Sequence, residues 1–293
     1  MSVKKLKAVC AVIICAAVAA ALLLAANASL NKKVVLTEYV YKDSDVPPNF
    51  DGYKMLMISD LHEAPFAGQI LEHIKSARPD MILFCGDLVQ LPDYSFEETK
   101  KIAEGVGGEI PMYAVSGNHE SQNDEYEHIV GNLWDAGIEW LENDSRRIQK
   151  NGDVIWLIGA RDNGKDVLKE DEIKEDVIEK IEDHIPDDRS TFSVLLNHRA
   201  DMYPFLKNIG ADLILSGHMH GGIIRIPFFG GVIGHDVYGR SLFPEYDYGY
   251  FKEGEAAMIM RRGMPPLKRI IYTVFRATPQ SAVLAGRLFA LRK

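Results

Sequence analysis

Cysteine is scarce, with three in 293 residues. Cys10 and Cys15 lie in an apolar N-terminal run and Cys85 in a second apolar run, with no pairing framework and no CxxC. This excludes a disulfide-stapled scaffold, a thiolate-held structural zinc and a dithiol redox motif. Acid is missing from both ends. Residues 1–33 hold five lysines and no acidic residue, and 256–293 hold eight basic residues and again none. The stretch 34–255 therefore carries all 42 acids against 20 basic residues, and no nucleic-acid partner is expected for so negative a domain. No internal repeat is present, which excludes a repeat architecture.

What the N-terminus does have is an unbroken apolar run over 8–26. Nineteen residues at 1.5 Å rise nearly match a bilayer core of about 30 Å, and exceed the usual secretory h-region. No twin arginine precedes the run. Ala26-Asn27-Ala28 resembles a small-residue cleavage site, so a removed signal segment stands as the alternative to an anchor. Lys4, Lys5 and Lys7 favour an inside N-terminus, although Lys32 and Lys33 weaken that contrast. The expected organisation is a basic segment 1–7, a transmembrane signal anchor 8–28, a juxtamembrane linker 29–50, a folded domain 51–262 and a basic segment 263–293. The chain would then sit in the cell membrane through one span, with its domain on the extracytoplasmic side.

From Tyr53 apolar strands (53–59, 81–85, 112–116) alternate with helical stretches near 67–77, 95–106 and 123–136, a pattern of βαβ units. The run Met81-Ile82-Leu83-Phe84-Cys85 reads as a strand buried on both faces. Further strands are expected at 34–41, 138–141, 147–149, 154–160, 192–196, 213–215 and within 248–262. A charged, solvated helix is expected over about 166–184.

Five clusters fall where these strands end: Asp60-Leu61-His62, Gly86-Asp87, Gly117-Asn118-His119-Glu120, Asn197-His198 and Gly217-His218-Met219-His220. Five of the nine histidines stand there, and in extended chain His218 and His220 point the same way. Carboxylate, imidazole and amide oxygen suit Mn, Fe, Zn or similar ions. Two such ions about 3.5–4 Å apart need a bridging carboxylate and bind the oxygens of a phosphate.

The order of these motifs resembles the calcineurin-like metallophosphoesterases over about residues 53–262. The N-terminal run, and Ser216-Gly217-His218-Met219-His220-Gly221-Gly222 leading to Arg225-x-Pro227-Phe228, are similar to a membrane-anchored branch. That branch is related to UDP-2,3-diacylglucosamine pyrophosphohydrolases. The resemblance implies an α/β fold, a four-layer αββα sandwich, with two divalent metal ions. Asp60, His62, Asp87 and His220 would hold one ion, and Asp87, Asn118, His198 and His218 the other. His119 would stay free of metal, stabilising the transition state or protonating the leaving oxygen. The implied activity is a phosphodiesterase or pyrophosphohydrolase acting through a hydroxide shared by the ions. Its substrate would be a phosphorylated small molecule or a lipid-linked phosphate. Where many members of the family carry an acid that orients the free histidine, this chain has Gln90.

Two rival readings remain. Gly159-Ala160-Arg161-Asp162-Asn163-Gly164-Lys165-Asp166 nearly matches a phosphate-binding loop but ends in Asp where Ser or Thr must reach Mg²⁺. A scaffold that kept the fold and lost turnover is the other. Leu267, Ile270, Ile271, Val274 and Phe275 are spaced as one face of a helix on an anionic surface, or else belong to a last core strand.

Overall fold

The computed structural model describes residues 34–260 except 166, 168, 187–190, 222–223 and 227–229, together with the strand Lys268–Ala277 and residues 3, 5, 7, 9–15, 17 and 18. Fifteen strands are present among these residues: β1 (Val34–Asp43), β2 (Lys54–Ile58), β3 (Met81–Cys85), β4 (Met112–Val115), β5 (Ile138–Trp140), β6 (Asp144–Lys150), β7 (Asp153–Gly159), β8 (Ser193–Arg199), β9 (Leu213–Gly217), β10 (Ile224–Ile226), β11 (Gly230–Asp236), β12 (Gly239–Leu242), β13 (Gly249–Lys252), β14 (Ala257–Met260) and β15 (Lys268–Ala277). They form two six-stranded sheets, ordered β1-β15-β2-β3-β4-β5 and β13-β14-β9-β8-β7-β6, and a small sheet β10-β11-β12. Strands β2 to β5 are parallel to one another, as are β7, β8, β9 and β14.

The period-two alternation of β3 explains the layers. Met81, Leu83 and Cys85 pack between the sheets against Leu157, Val194, Leu196 and Leu215. Ile82 and Phe84 face the other way, onto the helices Ala67–Ala77, Glu97–Val106 and Tyr126–Asp135. Ile158, Leu195 and Ile214 likewise face outward from the second sheet, onto Ile173, Val177 and Ile181 and onto Tyr203 and Leu206. A strand with helices on one face and a sheet on the other buries both sets of side chains, so its sequence is continuously apolar. The result is the four-layer α/β sandwich.

Three expectations change. The charged helix begins at Glu170 and runs to Glu182 through a π-helical turn at Lys174–Ile178. The apolar spacing after 267 belongs to a strand and not to a surface helix: β15 runs parallel to β1 and antiparallel to β2, joining the first sheet between them. The transmembrane helix expected over 8–28 is not seen. Residues 9–15 are helical and exposed, much of 8–28 lies outside the described residues, and no described helix is long and apolar enough to cross a membrane. Gly222, Pro227 and Phe228 also lie outside the described residues.

Candidate metal centre

Every expected ligand stands at the carboxyl end of a parallel strand, the place where α/β sheets bind ligands. Asp60 and His62 follow β2, Asp87 follows β3, Asn118 and His119 open a short helix (Asn118–Ser121) after β4, and His218 and His220 follow β9. His198 lies inside β8, where the pairing with β9 shifts register between Leu196 and Arg199. A bulge of this kind re-aims one side chain without ending the strand.

The backbone at these positions is unusual. Asp60, His62, Asp87, His218 and His220 all have positive φ, between 47° and 71°. L-residues adopt this region at a cost of about 1–2 kcal/mol each, and clusters of them mark sites whose surroundings over-determine the geometry. The surroundings here are tight. At Gly86, itself at φ +77°, a Cβ would stand 2.6 Å from the backbone nitrogen of Gly117. At Gly117 it would strike Asp87 Oδ1. The two ligand loops thus approach as backbone on backbone, which only glycine permits.

Two clusters share one residue. Ligand atoms of Asp60, His62, Asp87 and His220 lie within 4.8 Å of one another, as do those of Asp87, His198 and His218. Asp87 Oδ2 is 3.7 Å from His62 Nε2 and 3.3 Å from His198 Nε2. Its other oxygen, Oδ1, accepts the His119 N–H at 3.0 Å. Asp60 is oriented by the Ser59 hydroxyl on Oδ2 and the His218 N–H on Oδ1 at 2.9 Å. His198 Nδ1 donates to the Cys85 carbonyl at 2.8 Å, which turns Nε2 toward Asp87. A carbonyl fixing one ring nitrogen is the usual support of a metal-binding imidazole. Asn118 Oδ1 and His62 Nδ1 are buried with no hydrogen-bond partner among the described residues.

Charge follows from this geometry. Burial works against ionisation of Asp87, but the His198 and His62 rings facing it prevail and hold its carboxyl well below the usual range. Burial lowers His198, and the Asp87 carboxylate more than reverses that, raising it to about 10. Burial dominates at His62 and takes it down to about 4. Two buried carboxylates, four imidazoles and an amide oxygen without a partner are a donor set for divalent cations, and no thiolate is among them. The residues present fit such ions.

His119 sits beside the clusters without joining them. Its ring meets His62 edge-on with centroids 4.5 Å apart, and its Nδ1 accepts the Leu91 N–H at 3.1 Å. Gln90 does not take the place of the missing acid. Its side chain is exposed and donates to the Leu91 carbonyl at 3.0 Å, so the main chain orients His119 instead.

One residue with a structural part in the site had no role assigned from sequence. The Glu120 carboxylate is fully buried and accepts four backbone N–H groups: Asp87 at 2.8 Å, Leu88 at 2.7 Å, Val89 at 2.9 Å and Gly117 at 2.8 Å. It ties the β3 loop to the β4 loop. The local signal was available, since a Glu at the third helical position reaches back to the N-cap amide. The stretch after Gly159 is no phosphate cradle. Gly164 N–H donates to Asp162 Oδ1, and Asp162 Oδ2 pairs with the buried Arg199 at 2.8 Å.

A model of the calcineurin-like phosphoesterase family matches residues 53–222. Among curated proteins, the uncharacterized metallophosphoesterase YkuE of Bacillus subtilis is 25% identical over 235 residues, covering 78% of this chain and 77% of that protein. Phosphodiesterase YaeI of Escherichia coli is 27% identical over 198 residues, 65% of this chain and 67% of that protein. Among solved structures, the phosphopantetheinyl hydrolase PptH of Mycobacterium tuberculosis superposes with a TM-score of 0.41 at 13% identity. That match covers 67% of this chain and 98% of the other. With its motifs in family order, its candidate ligand side chains gathered around Asp87 and more than half its length matched, the chain belongs to the calcineurin-like phosphoesterases, metal-dependent hydrolases of phosphoric esters.

Proposed function

We propose that this chain is a membrane-anchored, dinuclear phosphodiesterase or pyrophosphohydrolase of the branch related to UDP-2,3-diacylglucosamine pyrophosphohydrolases. The observation that supports it best is the placement of Asp87 Oδ2 between His62 Nε2 and His198 Nε2, where one oxygen faces both clusters. Asp60, His62, Asp87 and His220 would hold one ion, and Asp87, Asn118, His198 and His218 the other. Two divalent ions supply a water acidified enough to act as nucleophile near neutral pH, and they neutralise charge on a phosphoryl group.

The chain's own residues do the rest. Asp87 joins the two halves of the site. The Cys85 carbonyl and the Ser59 hydroxyl hold His198 and Asp60 in place. His119 accepts at Nδ1, which leaves its Nε2 to donate a hydrogen bond to the leaving oxygen and stabilise the charge that develops there. The anchor reading rests on the apolar run 8–26 and its lysines, and puts the domain on the extracytoplasmic side. Hydrolysis of bis(p-nitrophenyl) phosphate with added Mn²⁺, abolished by a chelator and restored by the metal, tests the activity. A panel of phosphomonoesters, diesters and nucleotide-diphosphate lipids then identifies the substrate. No turnover of any of these by metal-loaded protein would leave the scaffold reading standing.

A further inference from the structure

The exit point of the N-terminal segment fixes which end of the domain meets a bilayer. Strand β1 runs parallel to β15 and β15 antiparallel to β2, so β1 begins where β2 ends. Val34 pairs with Lys268, which lies three residues before the Ile271–Met57 pair and hence level with Asp60. Two strand spacings separate β1 from β2, so the chain leaves the domain about 10 Å to the side of the Asp60 ligand loop. The exit is fastened: Val34 N–H donates to Gln69 Oε1 at 2.9 Å, and its carbonyl meets His73 Nε2 at 3.1 Å. Only the seven residues Asn27 to Lys33 join this point to the apolar run 8–26. Fully extended they reach about 25 Å. A domain of this size is about 45 Å across. The linker is too short to pass round it, so a span over 8–26 would hold the metal end within about 25 Å of the membrane.

The surface agrees. Within the described residues of 34–260, seven large apolar side chains are exposed, and five of them (Tyr94, Val167, Tyr238, Leu242 and Phe243) stand on loops or the hairpin at the metal end. Trp134 and Val40 lie toward the other end. The hairpin β11–β12 is the most prominent. Val237 at its turn is buried with Met202 and Met219, which seats it beside the site, while Tyr238, Leu242 and Phe243 are 60%, 71% and 68% exposed. A position above Gly239 is 3.7 Å from Val167, so the patch continues onto the β7 loop.

We infer that the metal end of the domain docks on a phospholipid bilayer. The side chains of Tyr238, Leu242 and Phe243 enter the interfacial layer, where apolar and aromatic groups are accepted. The site then draws its phosphoesters from the membrane surface. This rests on the reading of 8–26 as a membrane span.

The whole chain, reconstituted in vesicles of phosphatidylcholine and phosphatidylglycerol, provides the test. The added tryptophan emission of Leu242→Trp should fall about twofold when brominated phosphatidylcholine is included, and that of Val40→Trp should not. Phe243→Trp serves as a second reporter should Leu242→Trp fail to fold. Turnover of bis(p-nitrophenyl) phosphate within about twofold of the parent identifies folded protein, since neither residue belongs to the site. Retention after alkaline carbonate, with no quenching at 242 or 243 or with equal quenching at 40, overturns the docking face alone. Release by carbonate overturns the span reading and the docking face with it.

Discussion

The backbone N–H of Leu91 donates to Nδ1 of His119 across 3.1 Å. A main-chain amide therefore orients the histidine without bringing a charge to it. Position 90 has no part in that contact, and Glu120 is committed to four other amides. Gln90→Asp should change turnover less than about twofold on alkyl and nitrophenyl diesters alike, as surface substitutions generally do. His119→Asn should lower alkyl diester turnover by about 10²–10³ and nitrophenyl diester turnover by less than tenfold, because only the poor leaving group needs a proton. Metal content should not change. Steady-state kinetics on both substrate classes, with metal analysis, check this; equal losses on both would remove His119 from the leaving oxygen.

Asp87 faces both clusters, whereas His62 belongs to one. Asp87→Asn should lower metal content toward zero per chain, and His62→Ala toward one, because loss of the shared carboxylate leaves two cations unscreened from each other. Elemental analysis after dialysis decides it. An Asp87→Asn protein that retains two ions would show that Asp87 is not the shared ligand.

Glu120 holds the loops that carry Asp87 and Asn118. Burial, and then the Asp87 carboxylate, push its pKa up to about 7, while the amides that donate to it favour the ionised form. Glu120→Gln exchanges one acceptor oxygen for an NH₂ group that must face two N–H donors. Metal affinity should fall about 10–100-fold, as it does when a support of metal ligands is lost. Calorimetric titration with Mn²⁺ would measure this. An unchanged affinity alongside a lowered melting temperature would confine Glu120 to stability.

Asp201 is buried, and neither of its carboxylate oxygens has a hydrogen-bond partner from another of the described residues. Burial raises its pKa from 3.8 to about 6 against the opposing pull of Arg199. The native state therefore keeps a proton that the unfolded chain has released, and stability from this group declines as pH rises from about 4 to about 6. Asp201→Asn removes the penalty. It should stabilise the metal-free protein by about 3 kcal/mol at pH 8 and by little at pH 4. Urea unfolding of both proteins at both pH values is the measurement, and an equal difference at the two values would count against a buried charge.

Much of the fold was legible because its patterns are local. The run 81–85 announced a strand covered on both sides, and the helix 67–77 was marked by an apolar face. The segment after 267 was ambiguous for a physical reason. A short apolar run has no period that separates strand from helix. What Gln90 does in place of an acid was not legible, because only the fold of the loop decides that its side chain turns to the Leu91 carbonyl.

Composition and motif order alone determined the chemistry: which side chains are acids, imidazoles and amides, and that each follows an apolar strand. Side-chain identity and strand patterning are properties of a few neighbouring residues. Only the tertiary structure decided how those groups meet. It set five candidate ligands in left-handed backbone, turned His198 by a bulge and a carbonyl 113 residues away, and placed an amide of His218 on Asp60 across 158 residues. It also put the chain's exit beside the site rather than opposite it. Such relations depend on which strands pair and in what register, and pairing is chosen by the packing of the whole sheet rather than by any one segment.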